Sequence, residues 1–563
     1  MTKRLILTLL LSCSPLWATT YYVDNCVTPG NDRNSGTSTS TPWLTINKVN
    51  TSKFNPGDSI LFRSGCTWRE QLTVPSSGAA GKPITFGAYG KGAQPIISGA
   101  NLIKSWTLCA GSIYYASYST APNQVFEDGA RLKQETTSAA SLEAGQWFLD
   151  TVHKWIWVYL TGGGSPSGHT TEASQRACAI NVGTNSYVTV SNIDTEEAQT
   201  NNLSVAGGSG AIVTGVTSQR AYYRGIVFYQ VAGGTISSST VAYNGSEGIN
   251  FVETPGMLVE GCVVHDNGQL AMVNFSAGIH GGVDSAGQST NVVVQSNKVY
   301  SNGVGQSINI GWGIMLDTIG TGAIVQYNLT YGNNQDGINI DGFNSATVIY
   351  NVSYKNGGIY GHGILVQADG NSSLTGHHVY SNTVWGNYTG GIVFAGPSPE
   401  QTNGCTNNVA QNNIAVNTTA GPNFGANDGC ENHGTDGIGN VYTNNDFGPA
   451  SSNFIQWGAN TSYSTYSAWE TAAGNCGTVG CSHSVQADPQ FVNVAASQFW
   501  LASSSPAIGA GTNLGSPNNI GLMPGSAWPT GVTTGPTNTP PDIGAFVYVP
   551  ALAPPSNLQD VAH

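Results

Sequence analysis

Charge is scarce in this chain. Only 9% of its 563 residues are charged, with 18 Lys plus Arg, against roughly 25% charged residues in ordinary soluble domains. A formal charge of -13 and an isoelectric point near 5.1 leave no clustered Lys and Arg for a phosphate backbone, so no nucleic-acid partner is expected. Beyond the N-terminus no segment reaches the roughly 18 consecutive apolar residues of a membrane span. A sustained helical apolar period is almost missing, which sets aside helical folds. CxxC and the Cys/His spacings of zinc sites are also missing, so the cysteines read as structural.

What remains is turn chemistry and short apolar runs. The 73 glycines, with abundant Ser, Thr and Asn between short runs rich in β-branched residues, read as an all-β chain with many turns. The N-terminus "MTKRLILTLLLSCSPLWATTYYVDN" has Lys3 and Arg4, an apolar run from Leu5 to Leu11, then small residues. That is the layout of a secretory signal peptide, with cleavage expected near Ala18 and export as its consequence. Cys13 in "LLSC" also fits a lipoprotein acceptor, the less favoured alternative because few residues would separate such an anchor from the first strand at Tyr21. Export permits disulfides. Proximity in sequence pairs Cys26 with Cys66, Cys109 with Cys178, Cys405 with Cys430 and Cys476 with Cys481, and leaves Cys262 in the core.

The middle of the chain repeats itself. "RGIVFY", "EGINFVE", "AGIHGGVD", "WGIMLD", "DGINID", "HGILVQAD" and "GGIVFA" align on glycines 225, 248, 278, 313, 337, 363 and 391. An Asn-x-x-x-x-Asn frame accompanies them at 297/302, 328/333, 351/356, 382/387 and 412/417. The shortest repeat is 23 residues and holds two or three short runs, too little to bury an apolar face alone. Copies must stack, and the predicted fold is a right-handed parallel β-helix, a solenoid with an inserted antiparallel β module and terminal caps. The recurring Asn are expected to form amide ladders at the turns.

The repeat, the opening "YYVDNCVTPGNDRNSGTSTSTPWLTINKVN" and the closing "DPQFVN", "FWLASSSPAIGAG" and "PDIGAF" resemble secreted bacterial proteins of the pectin-lyase-like β-helix superfamily. The resemblance implies that fold and a carbohydrate-active protein, without choosing among hydrolases, lyases, epimerases and adhesins. Expected organisation is a signal peptide at 1–18, an N-terminal cap and first rungs at 19–104, and the inserted module at 105–178. Rungs follow at 179–445, C-terminal rungs and a cap at 446–549, and a tail at 550–563.

Surplus length in a solenoid repeat falls in loops on one face, often the binding face. The Asn-to-Gly distance is four residues at 244–248, 333–337 and 387–391, but eleven at 267–278 and 302–313, and seven at 356–363. Alternation along a strand with Ile pointing inward predicts two outward columns. The first is Val227, Asn250, His280, Met315, Asn339, Leu365 and Val393; the second is Tyr229, Val252, Gly282, Asp317, Asp341, Gln367 and Ala395. The corner before each Gly holds Arg224, Glu247, Ala277, Trp312, Asp336, His362 and Gly390.

Asp317 and Asp341 therefore fall on adjacent rungs at equivalent positions, about 4.8 Å apart at the backbone. Asp336 and His362 are neighbours at the corner. Glycosidic cleavage needs one protonated carboxyl and one carboxylate. Asp317, Asp341, Asp336 and His362 are the expected catalytic group. Trp312, with an indole suited to stacking on a sugar, His280, Asn339, Asp284, Glu247, Glu253, Arg224 and Asp369 are expected to bind substrate. "NQDGIN" and "GHGI" also resemble parts of the polygalacturonase site through Asn334, Asp336, Gly361, His362 and Gly363; the Asp-Asp pair and Arg-x-Lys segment of that family are not in place, so a galacturonate preference is not carried over.

The leading expectation is a secreted glycoside hydrolase acting on an extracellular polysaccharide or oligosaccharide, monomeric and needing no cofactor. One alternative is a polysaccharide lyase or C5-epimerase on a uronate polymer, which needs a cation against the substrate carboxylate. The outward columns hold no Lys or Arg, so calcium on Asp284, Asp317, Asp341 or Asp369 would have to supply it. The other alternative is a non-catalytic carbohydrate-binding or adhesion β-helix.

Overall fold

The structure is a computed structural model that describes residues 18–270, 276–282, 289–306, 310–342, 345–358, 360–368, 373–396, 404–427, 430, 437–452, 454–458, 461–471 and 482–550. Three long sheets wind as one coil. Two have 13 strands and one has 11, and neighbours within each are strands of successive turns rather than consecutive strands. One turn runs Ile338–Asp341, Ala346–Ile349, Val352–Tyr354, then His362–Gln367 directly above its start. We refer to these as the third, first and second sheets; the Gly-Ile strands all lie in the third.

Each sheet contributes apolar stacks to one continuous core. Ile226, Ile249, Ile279, Ile314, Ile338, Ile364 and Ile392 are register partners in the third sheet and are fully buried. Val213, Ile236, Val259, Val294, Val325, Val348 and Val379 do the same in the first. β-branched side chains suit this geometry because they pack well on a pleated surface. Gly281 is glycine for space: a Cβ there would sit 2.4 Å from the Phe251 ring of the previous turn.

The turns between sheets are closed by asparagine. One ladder runs Asn297, Asn328, Asn351, Asn382, Asn413 and Asn445, and a second runs Asn244, Asn267, Asn302, Asn333, Asn356 and Asn387. Each side-chain amide donates to the next carbonyl oxygen at 2.8–3.1 Å. The residue before a ladder Asn turns the corner in the left-handed region, as at Ser296, Tyr327, Tyr350 and Lys355. The frame expected at 412/417 is displaced. Asn413 carries the ladder, while Asn412 takes the left-handed corner and its side chain bonds the backbone of Thr512.

Between Leu102 and Cys178 the chain leaves the coil. Lys133–Glu135, Gln146–Asp150, Trp155–Tyr159, Ile113–Ser117 and Thr107–Ala110 make a mostly antiparallel sheet, and Ala130–Arg131, Val125–Glu127, Thr171–Ser174 and Ala100–Leu102 make a second one. Trp147, Ile156, Val158 and Leu160 give this module its own core. Short helices close the ends of the coil: Ile46–Asn50 inserts Ile46 and Val49, and Tyr466–Thr471 inserts Tyr466 and Trp469.

Two disulfides form as expected, Cys26–Cys66 and Cys405–Cys430. The Cys109–Cys178 pairing is corrected: both are free, Cys109 exposed on the edge strand of the module and Cys178 opening a strand of the third sheet. Cys262 is free and buried. Cys476 and Cys481 lie outside the described residues, as do the expected signal segment up to residue 17 and the tail from 551. No helix among the described residues is long and apolar enough to cross a membrane.

The C-terminal region adds to the coil end and also covers one flank of it. Its helix spans Tyr466–Thr471, Val485 still pairs in parallel with Asp446 on the end of the coil, and the chain from Phe491 onward packs along the flank. Phe499, Leu522, Ala545 and Phe546 pack on Ile349, Tyr350, Val352 and Tyr354. Trp528 donates its indole N–H to Tyr327 O at 2.6 Å, and the Tyr350 hydroxyl donates to Asn518 O at 2.6 Å. The physical reason is the outward aromatic rows of that flank, which would otherwise form a large exposed apolar patch.

Candidate functional site

The Gly-Ile strands put the acids where alternation and register require. Asp317 and Asp341 are register partners on neighbouring parallel strands and both are partly exposed. Asp341 is in turn the partner of Gln367, whose side-chain amide donates to its Oδ2 at 2.8 Å. The second outward column is therefore a solvent-facing row, with a carboxyl pair at its centre.

The first outward column departs from expectation. Asn250, Met315 and Asn339 are 1–2% exposed, and Leu365 is 6% exposed, so this row is not an open groove floor. Alternation gives the direction of a side chain from its own strand but not what lies over it.

Asp336 precedes the strand that Asp341 ends and is 2% exposed. It accepts from the Trp312 indole N–H at 3.0 Å, the Asn339 amide at 2.8 Å and the His362 backbone N–H at 2.6 Å, and its Oδ1 is 2.8 Å from His362 Nδ1. Burial alone would raise its pKa, but the His362 charge and the converging donors outweigh it and hold the carboxyl below its ordinary value. His362 is itself 6% exposed, with Tyr360 edge-on to its ring at 5.6 Å. Trp312, expected as a sugar platform, is 6% exposed, packs on Ala277 and Met315, and donates its indole N–H to Asp336. Asp336 and His362 are bonded to each other and both are buried.

A second acid unit lies on earlier rungs. Glu247 is 2% exposed and takes both Oε atoms to Arg224, at 3.0 and 3.1 Å, with the Ser246 hydroxyl donating at 2.6 Å. His280 Nδ1 lies 3.5 Å from Glu247 Oε1. Burial opposes ionisation of Glu247, yet the contacts with His280 and Arg224 prevail and hold it well below the ordinary carboxylate range. The Arg224 guanidinium also stacks over Tyr223 at 4.2 Å. Glu253 turns off the end of its strand at φ 53° and accepts from Gln230 at 2.6 Å, outside both columns. Asp284 and Asp369 lie outside the described residues.

Tyr223 and Ser246 were not singled out from sequence, and Asn250 and Gln367 were placed in the outward columns without a role. The signal for Asn250 was available: "EGIN" at 247–250 repeats "DGIN" at 336–339, so acid and amide recur three residues apart. Among the described residues, groups with three metal-ligating side chains gather at Asp24, Cys26 and Cys66 and at Glu127, Asp128 and His169, neither of which includes a column acid.

A family model described as right handed beta helix region matches residues 158–313. An 86-residue stretch is 40% identical to the lacto-N-biosidase of Bifidobacterium longum subsp. longum, covering 14% of this chain and 5% of that protein. The chain thus spans about 5% of the length of the curated relative it matches. Among solved structures, a complex of XylC with xylose aligns over 83% of each chain with a TM-score of 0.58 and 14% identity. A structure titled glycoside hydrolase aligns over 76% of this chain and 96% of its own with a TM-score of 0.53 and 11% identity. The chain folds as a right-handed parallel β-helix.

Proposed function

We propose that this protein is an exported glycoside hydrolase that cleaves an extracellular polysaccharide or oligosaccharide with Asp317 and Asp341 as its carboxyl pair. The observation that carries this reading is their register pairing on adjacent strands of a partly exposed row. At about 4.8 Å between strands, the pair suits the roughly 5 Å separation of retaining enzymes better than the wider gap that houses a water. Gln367, bonded to Asp341, favours ionised Asp341 as nucleophile, which leaves Asp317 as acid and base. Asp336, bonded to His362, holds the Trp312 indole and the Asn339 amide beside the row.

The partial likeness to a lacto-N-biosidase and the fold shared with a xylose-bound protein and a glycoside hydrolase support a carbohydrate substrate. The lyase and epimerase reading needs a free cation, and Arg224 is closed by its two-point contact with Glu247. A polysaccharide panel assayed for reducing ends and for unsaturated-uronate absorbance tests the proposal. New reducing ends with retained anomeric configuration by NMR are expected, and Asp317→Asn and Asp341→Asn should each lower kcat by about 10²–10⁴-fold. Unsaturated products, or wild-type rates in both variants, would overturn it.

A further inference from the structure

Carboxylate oxygens outnumber donors at one end of the inserted module. Val125–Glu127 pairs antiparallel with Thr171–Ser174, with Glu127 opposite Thr171. The chain leaves this strand through Asp128, and His169 and Thr170 lead into the partner strand beside it. Glu127, Asp128 and His169 each bring a ligand atom within 4.8 Å of the other two. Both acids are oriented through one oxygen and leave the second to this cluster. Glu127 Oε2 accepts from the Thr161 N–H at 2.9 Å and the Thr161 hydroxyl at 2.8 Å, and Asp128 Oδ1 accepts from the Thr170 N–H at 2.7 Å. The remaining oxygens share one donor. His169 Nδ1 is 2.8 Å from Asp128 Oδ2 and 3.6 Å from Glu127 Oε1, so its proton goes to Asp128. Glu127 is 7% exposed, and its Oε1 accepts no hydrogen bond among the described residues. No Lys or Arg among the described residues forms an ion pair with either acid. A buried carboxylate oxygen without a donor, facing a second carboxylate, is unfavourable unless a cation joins them.

We infer that Glu127 Oε1, Asp128 Oδ2 and His169 Nδ1 bind one zinc ion that braces the inserted module. The donor set selects the metal: an imidazole with two carboxylates suits zinc, whereas calcium takes about six to eight oxygen ligands. Ligands about 2.1 Å from a tetrahedral zinc stand about 3.4 Å from one another, and the two distances from His169 Nδ1, 2.8 and 3.6 Å, lie on either side of that value. Thr161 and Thr170 supply the outer hydrogen bonds that fix the direction of the ligating oxygens. Asp128 and His169 are exposed, which leaves the fourth position to water. The ion is structural. Thr161 follows Trp155–Tyr159 of the five-stranded sheet, while Glu127 ends a strand of the four-stranded one, so the metal fastens the two sheets of the module where they meet. No ligand belongs to the third sheet, and the inference is independent of the hydrolase reading.

The test is calorimetric titration of the full chain, stripped with EDTA and returned to chelator-free buffer, with zinc chloride and with calcium chloride. One zinc ion per chain is expected, bound more tightly than calcium, and zinc should raise the thermal midpoint of the stripped protein because it binds the folded state. His169→Ala and Asp128→Asn, both at exposed positions where the fold tolerates change, should each weaken zinc binding by at least about tenfold. His153→Ala is the control. His153 Nδ1 lies 2.6 Å from Asp150 Oδ2 in the same module, but no third ligand joins that pair among the described residues, so its loss should leave zinc affinity unchanged. X-ray absorption of the loaded protein should show nitrogen and oxygen ligands without sulfur, which separates this cluster from the free cysteines. No saturable zinc binding, calcium bound more tightly than zinc, sulfur in the coordination shell, or affinity that His169→Ala leaves intact would each overturn the inference, as would an equal loss in His153→Ala.

Discussion

Buried acids in this protein fall into two kinds with opposite pH behaviour. Asp336 is held below its ordinary pKa despite burial, by His362 and three donors. Its stabilising contribution is therefore present above the unfolded value of about 3.9 and is lost only as pH falls through the lower folded value. Asp336→Asn takes the carboxylate away from these buried donors, and the expected loss at neutral pH is about 2 kcal/mol, read as a fall in thermal midpoint. Asp194 and Asp446 are pushed the other way by burial, each up to about 7. Their contribution is complete below about pH 4 and is lost as pH rises through 7. Thermal midpoints should therefore decline from pH 5 to pH 8, and Asp446→Asn should flatten that decline; an unchanged slope would contradict the assignment. At this scale the sequence showed the Asp317–Asp341 pair, because strand alternation and a constant Gly-Ile register determine it. It did not show that Asn250, Asn339 and Trp312 are buried, since cover over a strand is set by segments that obey no repeat.

The ladders are the element that the repeat announced most clearly. An Asn at a fixed offset in every turn has one physical use, which is to close buried turn carbonyls and to bond its own copy above. The single slip, Asn413 in place of Asn412, arises because two adjacent asparagines compete for a left-handed corner and a ladder position, and both tolerate either. Asn351 shows how much each ladder member carries. It accepts from the Asn328 backbone and side-chain N–H groups and donates to Val325 O, Ile349 O and Asn382 Oδ1. Asn351→Ala leaves several of these buried groups without partners at about 1–3 kcal/mol each. Destabilisation of at least about 3 kcal/mol is expected in denaturant titrations, larger than for a Val→Ala change on an exposed edge. A loss below 1 kcal/mol would mean that water replaces the amide.

For the whole molecule, a solenoid repeat encodes contacts between neighbouring turns and nothing else, which is why the coil was legible and the returning C-terminal segment was not. That segment meets the coil across 193 residues at the Tyr327 hydroxyl to Ile520 O bond and across 162 residues at Ala545 N to Thr383 Oγ1. Its role follows from the side it covers. Tyr300, Tyr331 and Tyr354 stack at 4.9 and 5.0 Å up the second sheet, and Tyr354 goes on to meet Phe499. The third sheet, with its carboxyl row, is untouched by these contacts. The C-terminal contacts and the carboxyl row thus lie on different faces. Removal of residues 482–563 should lower the thermal midpoint and raise binding of a hydrophobic dye through the uncovered tyrosines. Trp528→Ala, which deletes the indole against Tyr327, should do the same in miniature at about 2 kcal/mol, less than the 3–5 kcal/mol of a fully buried Trp. Both proteins, assayed at low temperature where the coil stays folded, should keep the KM of the intact chain. A changed KM at full folding would show that the C-terminal segment reaches the substrate face after all.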